Sequence, residues 1–331
     1  TRTPLDAPLD TRLELGPAFE RVLYAHPQAL VRGVAADGAN GVNAEWERGE
    51  VPGFYIEEQR HGEEAVIAGV LRHDRAVWRL GLRELDWGFA RQGPGGGFPA
   101  TSDPFHSTSF FVEAVAELML VLRGAGAGGI ALPPHLLAHV DSYLPRLHAA
   151  ARWMVGTAVW RAGLASDAPY THRRFLVAAA LGLTSVLTGD RLLLRRAREA
   201  LELGIDAQLR DGVEPELGGY DSSYQARGMA YAEQYLAWLP RDPLAARLRA
   251  TIARGLAWER TRIFPSGEVS IVANTRANGV MRDHNGIKRV VYPMVAQALL
   301  WWGLAAGIRP DAELAARVAR WAERHPGQVG I

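Results

Sequence analysis

Apolar residues recur at helical spacing along most of the chain. Within 63–90, Val66, Val70 and Val77 lie near one another on one helical face. The same period predicts further helices over Thr11–Tyr24 and at about 107–124, 135–162, 171–188, 190–209, 222–238, 242–262, 290–307 and 311–324. Alternating strand patterns are nearly absent, and EVSIVAN at 268–274 is the best strand candidate. The pattern therefore predicts an all-α chain.

The connections between the predicted helices alternate in character. Long polar connections follow the first helix of each pair: RQGPGGGFPATSDPFHS, AGLASDAPYTH, RDGVEPELGGYDSS and FPSGEVSIVANTRANGVMRDHNGIK. Mostly short turns, such as TGD at 188–190 and PRDP at 240–243, follow the second helix. Alternate connections of a helical-hairpin array lie at opposite ends, so we expect the long loops to share one face. That face is the predicted active rim, because function concentrates in loops held by a rigid scaffold.

These observations predict an α/α toroid, closed or incomplete, of about five or six helical hairpins. The expected organisation is one domain over 1–331. Residues 1–60 would supply an N-terminal helix and a rim loop with Trp46 and Phe54, and 61–331 would supply the hairpins. A helical solenoid is the alternative, although no consensus recurs at a fixed period.

Composition and charge narrow the classes of protein. A hydrophobic share of 48% against 22% charged residues is typical of a folded, soluble globular chain. The longest apolar runs, such as AVAELMLVL before Arg123, are shorter than a bilayer requires. A formal net charge of +1 gives no sign of the concentrated basic face that nucleic acids or membrane surfaces need. Neither kind of partner is therefore expected.

The absence of cysteine and the scatter of histidine bear on cofactors and location. Zero cysteines exclude disulfides, thiolate catalysis and cysteine-ligated metals. The ten histidines lack metal-ligand spacing, and no HExxH occurs, so we predict neither a metal nor another cofactor. The chain starts at Thr1 without an apolar signal core, and we expect a processed secreted or periplasmic chain, with the cytoplasm as the alternative. The oligomeric state stays open.

The densest group of candidate catalytic residues lies in DGVEPELGGYDSSYQARGMAYAEQYL, 211–236. Asp221 or Ser222 is expected to cap the following helix. Tyr224 and Arg227 then follow at helical spacing, so a phenol and a guanidinium share one face close to the loop. This placement favours a catalytic role for Tyr224 over simple core packing.

Two histidines stand at predicted helix entries. His172 lies in YTHRRF, where an imidazole with its ordinary pKa near 6.5 can shuttle a proton or donate to an anion. His106 precedes a helix for which Ser107 or Thr108 is the predicted cap. A structural role is the ordinary alternative for each histidine. The same predicted rim carries His172 and Tyr224, which favours a functional role for His172.

The connection 274–288 gathers positive and amide groups. They are Arg276, Arg282, His284, Asn285 and Lys288. Several cations in one connection suit a substrate that carries carboxylates, although a solvated charged loop is the ordinary alternative.

A family resemblance rests on three of these segments. THRRF at 171–175 with LTGD at 187–190, followed by DGVEPELGGYDSSYQ at 211–225, resembles the α/α-toroid polysaccharide lyases of the alginate lyase and heparinase kind. In that family an Asn-His helix entry is followed by a DG-x-E loop and a tyrosine. The resemblance covers roughly 100–300 and implies cleavage of a uronate polysaccharide by β-elimination. Thr171 stands where the family often has asparagine, which is a departure from its pattern.

The resemblance also implies roles for individual residues. Tyr224 would transfer the proton, and His172 would act as base or neutralise the substrate carboxylate. His106, which is a candidate from its position at a helix entry and not from the resemblance, completes the predicted catalytic set. Asn285, His284 or an arginine would replace the missing asparagine. The predicted substrate-binding residues are Arg227, Tyr170, Arg173, Glu216, Tyr220, Asp221, Arg276, Arg282, His284, Asn285 and Lys288.

The chemistry of elimination agrees with these residue types. The substrate carboxylate must be neutralised before negative charge develops beside it. A base must then take the proton at C5 while an acid protonates the departing O4. A phenol, with its ordinary pKa near 10, needs a nearby cation to act as that base, and Arg227 or His172 are the candidates.

Two other functions remain open from the sequence. A glycoside hydrolase on the same toroid would use two carboxylates, such as Asp211, Glu216 or Asp221. A carbohydrate-binding protein without catalytic activity is the third hypothesis, because fold alone does not establish activity. In each case the expected partner is a polysaccharide or oligosaccharide, and for the lyase it is an acidic one.

Overall fold

The computed structural model describes residues 33–127 and 132–330, and these residues are almost entirely helical, which confirms the all-α prediction. The predicted helix Thr11–Tyr24 lies outside the described residues. Short 3₁₀ turns occur at Ile56–Arg60 and Pro326–Gln328. The α-helices are α1 (Val42–Glu47), α2 (His61–Leu71), α3 (Arg75–Ala90), α4 (Pro104–Ala127), α5 (Pro134–Asp141), α6 (Leu144–Met154), α7 (Thr157–Ser166), α8 (Thr171–Thr188), α9 (Arg191–Ala207), α10 (Ser222–Trp238), α11 (Ala245–Arg260), α12 (Tyr292–Ala305) and α13 (Arg309–Arg324).

Helices α8 and α10 have the predicted bounds, but two longer predicted helices are interrupted. The stretch 135–162 forms α5, α6 and α7, because Pro145 stands in the first turn of α6 and cannot continue a preceding helix. The stretch 63–90 divides between α2 and α3. Asp74 caps α3 there by accepting the backbone N–H groups of Ala76 and Val77, after His73 turns the chain with φ 54°.

The strand prediction for 268–274 is wrong. Only isolated bridges form in that region, between Ile263 and Val269 and between Tyr220 and Asn274. In the described residues the one named strand pair is a small antiparallel hairpin further along, β1 (Arg282–Asp283) with β2 (Gly286–Ile287). Gly286 has φ 101°, a conformation that glycine adopts without strain, and it closes the turn.

By its internal contacts the chain divides into two compact units. The N-terminal unit comprises 33–165 and 180–197 of the described residues, and the C-terminal unit comprises 166–179 and 198–330. Each of the helices α8 and α9 contributes one half to each unit. The expectation of one domain over 1–331 therefore stays a prediction.

Helix α4 forms the centre of the N-terminal unit. Its stretch Pro104–Gly126 is long and apolar enough, by length and composition, to cross a membrane. This differs from the expectation based on the shorter apolar runs. However, 94% of its most apolar 18-residue segment is buried inside the protein. Such burial is typical of a core helix.

The glycine-rich loop before α4 is also packed, because Phe98 is fully buried and a Cβ at Gly97 would lie 2.3 Å from the Trp153 ring. The aromatic residues Trp46 and Phe54 pack together, with ring centroids 5.4 Å apart.

Helix α10 forms the core of the C-terminal unit and is buried along nearly its whole length. It packs against α11 and α12, and α12 packs against α13. Tyr231 and Tyr235 on α10 are 4% and 0% exposed, so both belong to the core. A helix that is buried on all sides has only its ends available for solvent-facing chemistry. In α10 the N-terminal end carries the polar sequence.

Candidate active site

Three of the predicted long loops meet in the C-terminal unit. Tyr170, before α8, forms an antiparallel bridge with Glu216, and Tyr220, before α10, forms a parallel bridge with Asn274. The backbone N–H of Thr171 donates to the carbonyl of Pro215. These bonds bring the first turns of α8 and α10 together with the segment 261–291. The connections before α8, before α10 and before α12 are therefore joined, while their place on one rim of a toroid stays a prediction.

Asp221 holds this junction together. One carboxylate oxygen accepts the N–H groups of Ser223 and Tyr224 and thereby caps α10, as predicted. The other oxygen accepts the N–H groups of Arg276 and Ala277 at 2.8 and 2.7 Å. Asp221 is fully buried, so its carboxylate is used to fix the loop on the helix end and has no surface for the predicted contact with substrate.

Tyr224 stands in the first turn of α10 and is partly exposed. Its hydroxyl oxygen accepts a hydrogen bond from Nζ of Lys288 at 3.1 Å. The guanidinium of Arg276 lies 3.8 Å from the centroid of its ring, and that of Arg227 lies 5.7 Å away. Three positive charges therefore surround one phenol, and Coulomb attraction stabilises negative charge that develops on its oxygen.

His172 lies in the first turn of α8, and its ring centroid is 4.7 Å from that of Tyr224. Its Nδ1 is 2.9 Å from Oε2 of Glu216. Burial, followed by the positive charges of nearby residues with Arg276 foremost, lowers the pKa of His172 well below its ordinary value. The imidazole is therefore neutral at physiological pH. This finding fits a role in positioning or proton transfer better than the predicted neutralisation of a carboxylate.

Glu216 links His172 to Arg276. Its second oxygen, Oε1, accepts a hydrogen bond from the Arg276 guanidinium at 2.7 Å, and its side chain is only 3% exposed. Burial raises the pKa of Glu216 to about 7, although the charge and the hydrogen bond of Arg276 act in the opposite direction. Glu216 was predicted to bind substrate, but its oxygens contact the imidazole and the guanidinium behind Tyr224.

Aromatic and cationic side chains border this cluster. The guanidinium of Arg173 lies 4.1 Å from the ring centroid of Tyr170 and pairs with Asp167 at 2.8 Å. Tyr220 packs edge-on against Trp258 with ring centroids 5.2 Å apart. Tyr170 and Tyr220 are both partly exposed, and the Arg276 guanidinium that lies over Tyr224 also lies 5.1 Å from the ring centroid of Tyr170.

The β1–β2 hairpin carries three of the predicted binding residues, and a fourth, Lys288, follows it. Arg282 and Asn285 are exposed and His284 is partly exposed. Lys288 follows β2 and contacts the Tyr224 hydroxyl.

His106 lies in the N-terminal unit and not in the unit of Tyr224 and His172. It is 9% exposed, inside α4, and its ring centroid is 4.7 Å from that of Phe110. The predicted caps Ser107 and Thr108 are wrong, because α4 begins at Pro104 and both residues are inside the helix. The structure therefore favours the structural role for His106, because its side chain packs in the core of the N-terminal unit.

Two buried acids near the cluster escaped the sequence reasoning. Glu214 and Glu259 are 3% and 0% exposed, and neither carboxyl has a hydrogen-bond partner in the described part of the chain. Burial above all raises the pKa of both, and nearby carboxylates add to the effect. Burial therefore favours the neutral form of both carboxyls. A glutamate in DGVEPE or in a helical run carries no sequence signal for such burial.

The structure thus defines a class of protein by fold and site: a helical protein whose loops assemble a partly exposed phenol, a neutral imidazole and several cations. In the described residues, no group of three or more His, Asp or Glu side chains could hold a metal ion. Comparison of the chain with known protein families, curated proteins and solved structures finds no match.

Proposed function

We propose that this protein is a polysaccharide lyase, which cleaves a uronic-acid-containing polysaccharide by β-elimination on an α/α toroid. The observation that carries the proposal is the environment of Tyr224. Its phenol is partly exposed, its hydroxyl contacts Lys288, and its ring contacts His172 and Arg276. Consecutive helices that pack in pairs, such as α2 with α3 and α12 with α13, support the toroid.

Each requirement of the elimination has a candidate among these residues. The cations around Tyr224 would neutralise the substrate carboxylate, which makes the proton on the adjacent carbon easier to remove. Tyr224 is the proton-transferring group, because it is partly exposed while His172 is only 2% exposed. His172 and Glu216 would act behind the phenol by fixing its position and the local charge.

Hydrolysis by paired carboxylates has less support. Asp221 accepts four backbone N–H groups and Glu216 contacts Arg276 and His172. Asp211 accepts the N–H of Val213 in an exposed turn. Asp221 and Glu216 are both buried, so neither is available to a substrate as the acid or the second carboxylate that a glycosidase requires.

The proposal is tested by ultraviolet absorbance during incubation with alginate, glucuronan, hyaluronan and heparan-type chains, because elimination creates a conjugated unsaturated uronate that hydrolysis does not. We expect a rising signal with one of these polymers. The Tyr224→Phe variant should lower turnover by about 10²-fold or more, because the transferring hydroxyl is lost. It should remain folded, since a single partly exposed hydrogen bond contributes only about 0.5–1.5 kcal/mol.

The matched control is Tyr143→Phe, which removes a hydroxyl bonded to Asp86 in the N-terminal unit and should leave turnover unchanged. Full activity of Tyr224→Phe would remove Tyr224 from the mechanism. New reducing ends without an ultraviolet signal would show hydrolysis. Binding of a polymer without either product would leave the carbohydrate-binding hypothesis.

A further inference from the structure

The side chain of Lys288 joins Tyr224 to a surface carboxylate. Its Nζ lies 3.1 Å from the Tyr224 hydroxyl oxygen and 2.8 Å from Oδ2 of Asp283. An ammonium group has three N–H donors, and these two contacts account for two of them. The phenol oxygen and the Asp283 carboxylate therefore lie within about 6 Å of each other, because this is the sum of the two distances.

Lys288 is chemically exceptional in this chain. Among the 37 Lys and Arg residues it is the single lysine. An ammonium concentrates its charge and its donors on one nitrogen, whereas a guanidinium spreads them over a planar fork. One nitrogen can thus contact a phenol oxygen and a carboxylate at the same time. The single lysine therefore lies where one nitrogen contacts both a phenol and a carboxylate, whereas the other 36 of the Lys and Arg residues are arginine.

The cations of the cluster differ in how easily their partners can be replaced. Arg276 and Arg173 pair with carboxylates whose side chains are only 3% and 1% exposed. Displacing either carboxylate would leave a buried charge without a partner, which is strongly unfavourable. Asp283 is different, because its side chain is 32% exposed on β1 and returns to water when Lys288 releases it. Although burial alone would raise it, the hydrogen bond and charge of Lys288 lower the pKa of Asp283, which is ionised at neutral pH.

We propose that Lys288 binds the carboxylate of the substrate, and that Asp283 occupies this position in the free protein until the substrate displaces it. This inference rests on the proposed function. The carboxylate of a uronate is bonded to the carbon from which the base removes a proton, so its binding position must adjoin the base. The position beside Tyr224 meets this requirement. The site should therefore take uronates with a free carboxylate and reject their methyl esters, which cannot replace Asp283.

Kinetics of the Asp283→Asn variant test the displacement. Removing the competing charge should lower KM by roughly 1.5-fold to fivefold, the effect expected for one partly exposed ion pair, with kcat unchanged. Asp206→Asn is the matched control, because it makes the same charge change at an exposed partner of Arg247 in the same unit and should leave KM unchanged. A higher KM for Asp283→Asn would mean that Asp283 positions Lys288 for substrate, and would overturn the proposal.

A double-mutant cycle assigns the effect to the pair. Lys288→Met should raise KM, and adding Asp283→Asn to it should produce no further change, since the competing carboxylate then has no partner to release. If Asp283→Asn lowers KM equally in both backgrounds, its effect comes from general charge and the displacement is refuted.

The single lysine also allows a readout that does not depend on turnover. Protein labelled with ¹³C-lysine gives one side-chain NMR signal within this chain, from Lys288. In the Tyr224→Phe background, a uronate oligosaccharide should shift that signal, and its methyl ester should not. Calorimetric binding without any shift would place the carboxylate elsewhere and overturn the inference while the proposed function stands. Absence of binding and of elimination with every uronate polymer would instead refute the proposed function, and the inference with it.

Discussion

Glu216→Gln changes one atom at the centre of the cluster and leaves its shape intact. The carboxylate accepts a hydrogen bond from Arg276 through Oε1 and contacts Nδ1 of His172 through Oε2. When ionised, it requires the imidazole proton on Nδ1. A glutamine that keeps its oxygen toward Arg276 presents an N–H toward His172, and the imidazole proton must then move to Nε2. The substitution therefore reverses the tautomer of His172 without removing a side chain.

The size of the effect follows from the position of Glu216. Its side chain is 3% exposed and cannot contact a bound polymer, so KM should change little. If His172 assists proton transfer at Tyr224, the wrong tautomer should lower kcat by about 10²–10⁴-fold, the contribution typical of acid–base catalysis. The loss of a charged partner for Arg276 should cost about 1–3 kcal/mol of unfolding free energy at alkaline pH.

The pH dependence gives the sharper test. Because the pKa of Glu216 is raised to about 7, its protonated form donates to Nδ1 below that pH and produces the same wrong tautomer. Wild-type kcat, measured by ultraviolet absorbance between about pH 5 and about pH 9, should therefore rise through about pH 7. The rise should be absent from Glu216→Gln and present in Glu214→Gln, which alters a neighbouring buried acid that has no hydrogen bond to His172.

Nitrogen-15 NMR of the imidazole provides the direct observation. The proton of His172 should lie on Nδ1 in the wild type above about pH 8 and on Nε2 in Glu216→Gln. A variant that keeps both wild-type kcat and the rise with pH would refute the reasoning, since the tautomer would then have no influence on the reaction. If the tautomer changes and kcat does not, His172 has no part in proton transfer, while the role of Tyr224 is unaffected.

Two further predictions concern stability and are measured by chemical denaturation. Asp221→Ala should lower the unfolding free energy by about 2–4 kcal/mol, because four backbone N–H groups lose their acceptor. Asp74→Ala removes a helix cap that accepts only two backbone N–H groups and should cost about 1 kcal/mol. Equal losses in the two variants would contradict the role given to Asp221 in the loop junction. The pKa of Glu233 is raised well above its ordinary value, mainly by burial. Above about pH 4.5 the folded protein therefore binds more protons than the unfolded protein, and its unfolding free energy falls as the pH rises. Glu233→Gln should therefore be about 1–3 kcal/mol more stable than the wild type near pH 9 and equal to it near pH 4, and an identical pH dependence in both would contradict the assignment.

Hydrophobic periodicity was sufficient for the helical class and for the best-bounded helices. Helices α8 and α10 begin and end as predicted, because a continuous apolar repeat and a polar first turn are local properties of their sequences. The method failed where local chemistry interrupts the repeat, at Pro145 and at the Asp74 cap. It also failed at 268–274, where β-branched residues occur without a neighbouring strand to pair with.

For the candidate site, the sequence indicates individual residues but not the contacts between them. Tyr224, His172 and Arg276 were recognisable because each is a chemically capable residue at the entry of a helix or in a long loop. Their contacts were not, since His172 and Glu216 are separated by 44 residues and meet only after the loops pair. His106 had the same local signature as His172 but belongs to the N-terminal unit, where its ring packs against Phe110.

Local sequence accounts for most of the helices, for the capped start of α10 and for the chemical types available at each loop, because these depend on residues a few positions apart. Only the folded chain shows which cations surround Tyr224, that Glu216 lies between His172 and Arg276, and that Lys288 contacts the phenol. Burial and long-range contact set these properties, together with the pKa of each buried group. Both arise from packing between segments that are distant in the chain, and local sequence patterns do not encode them.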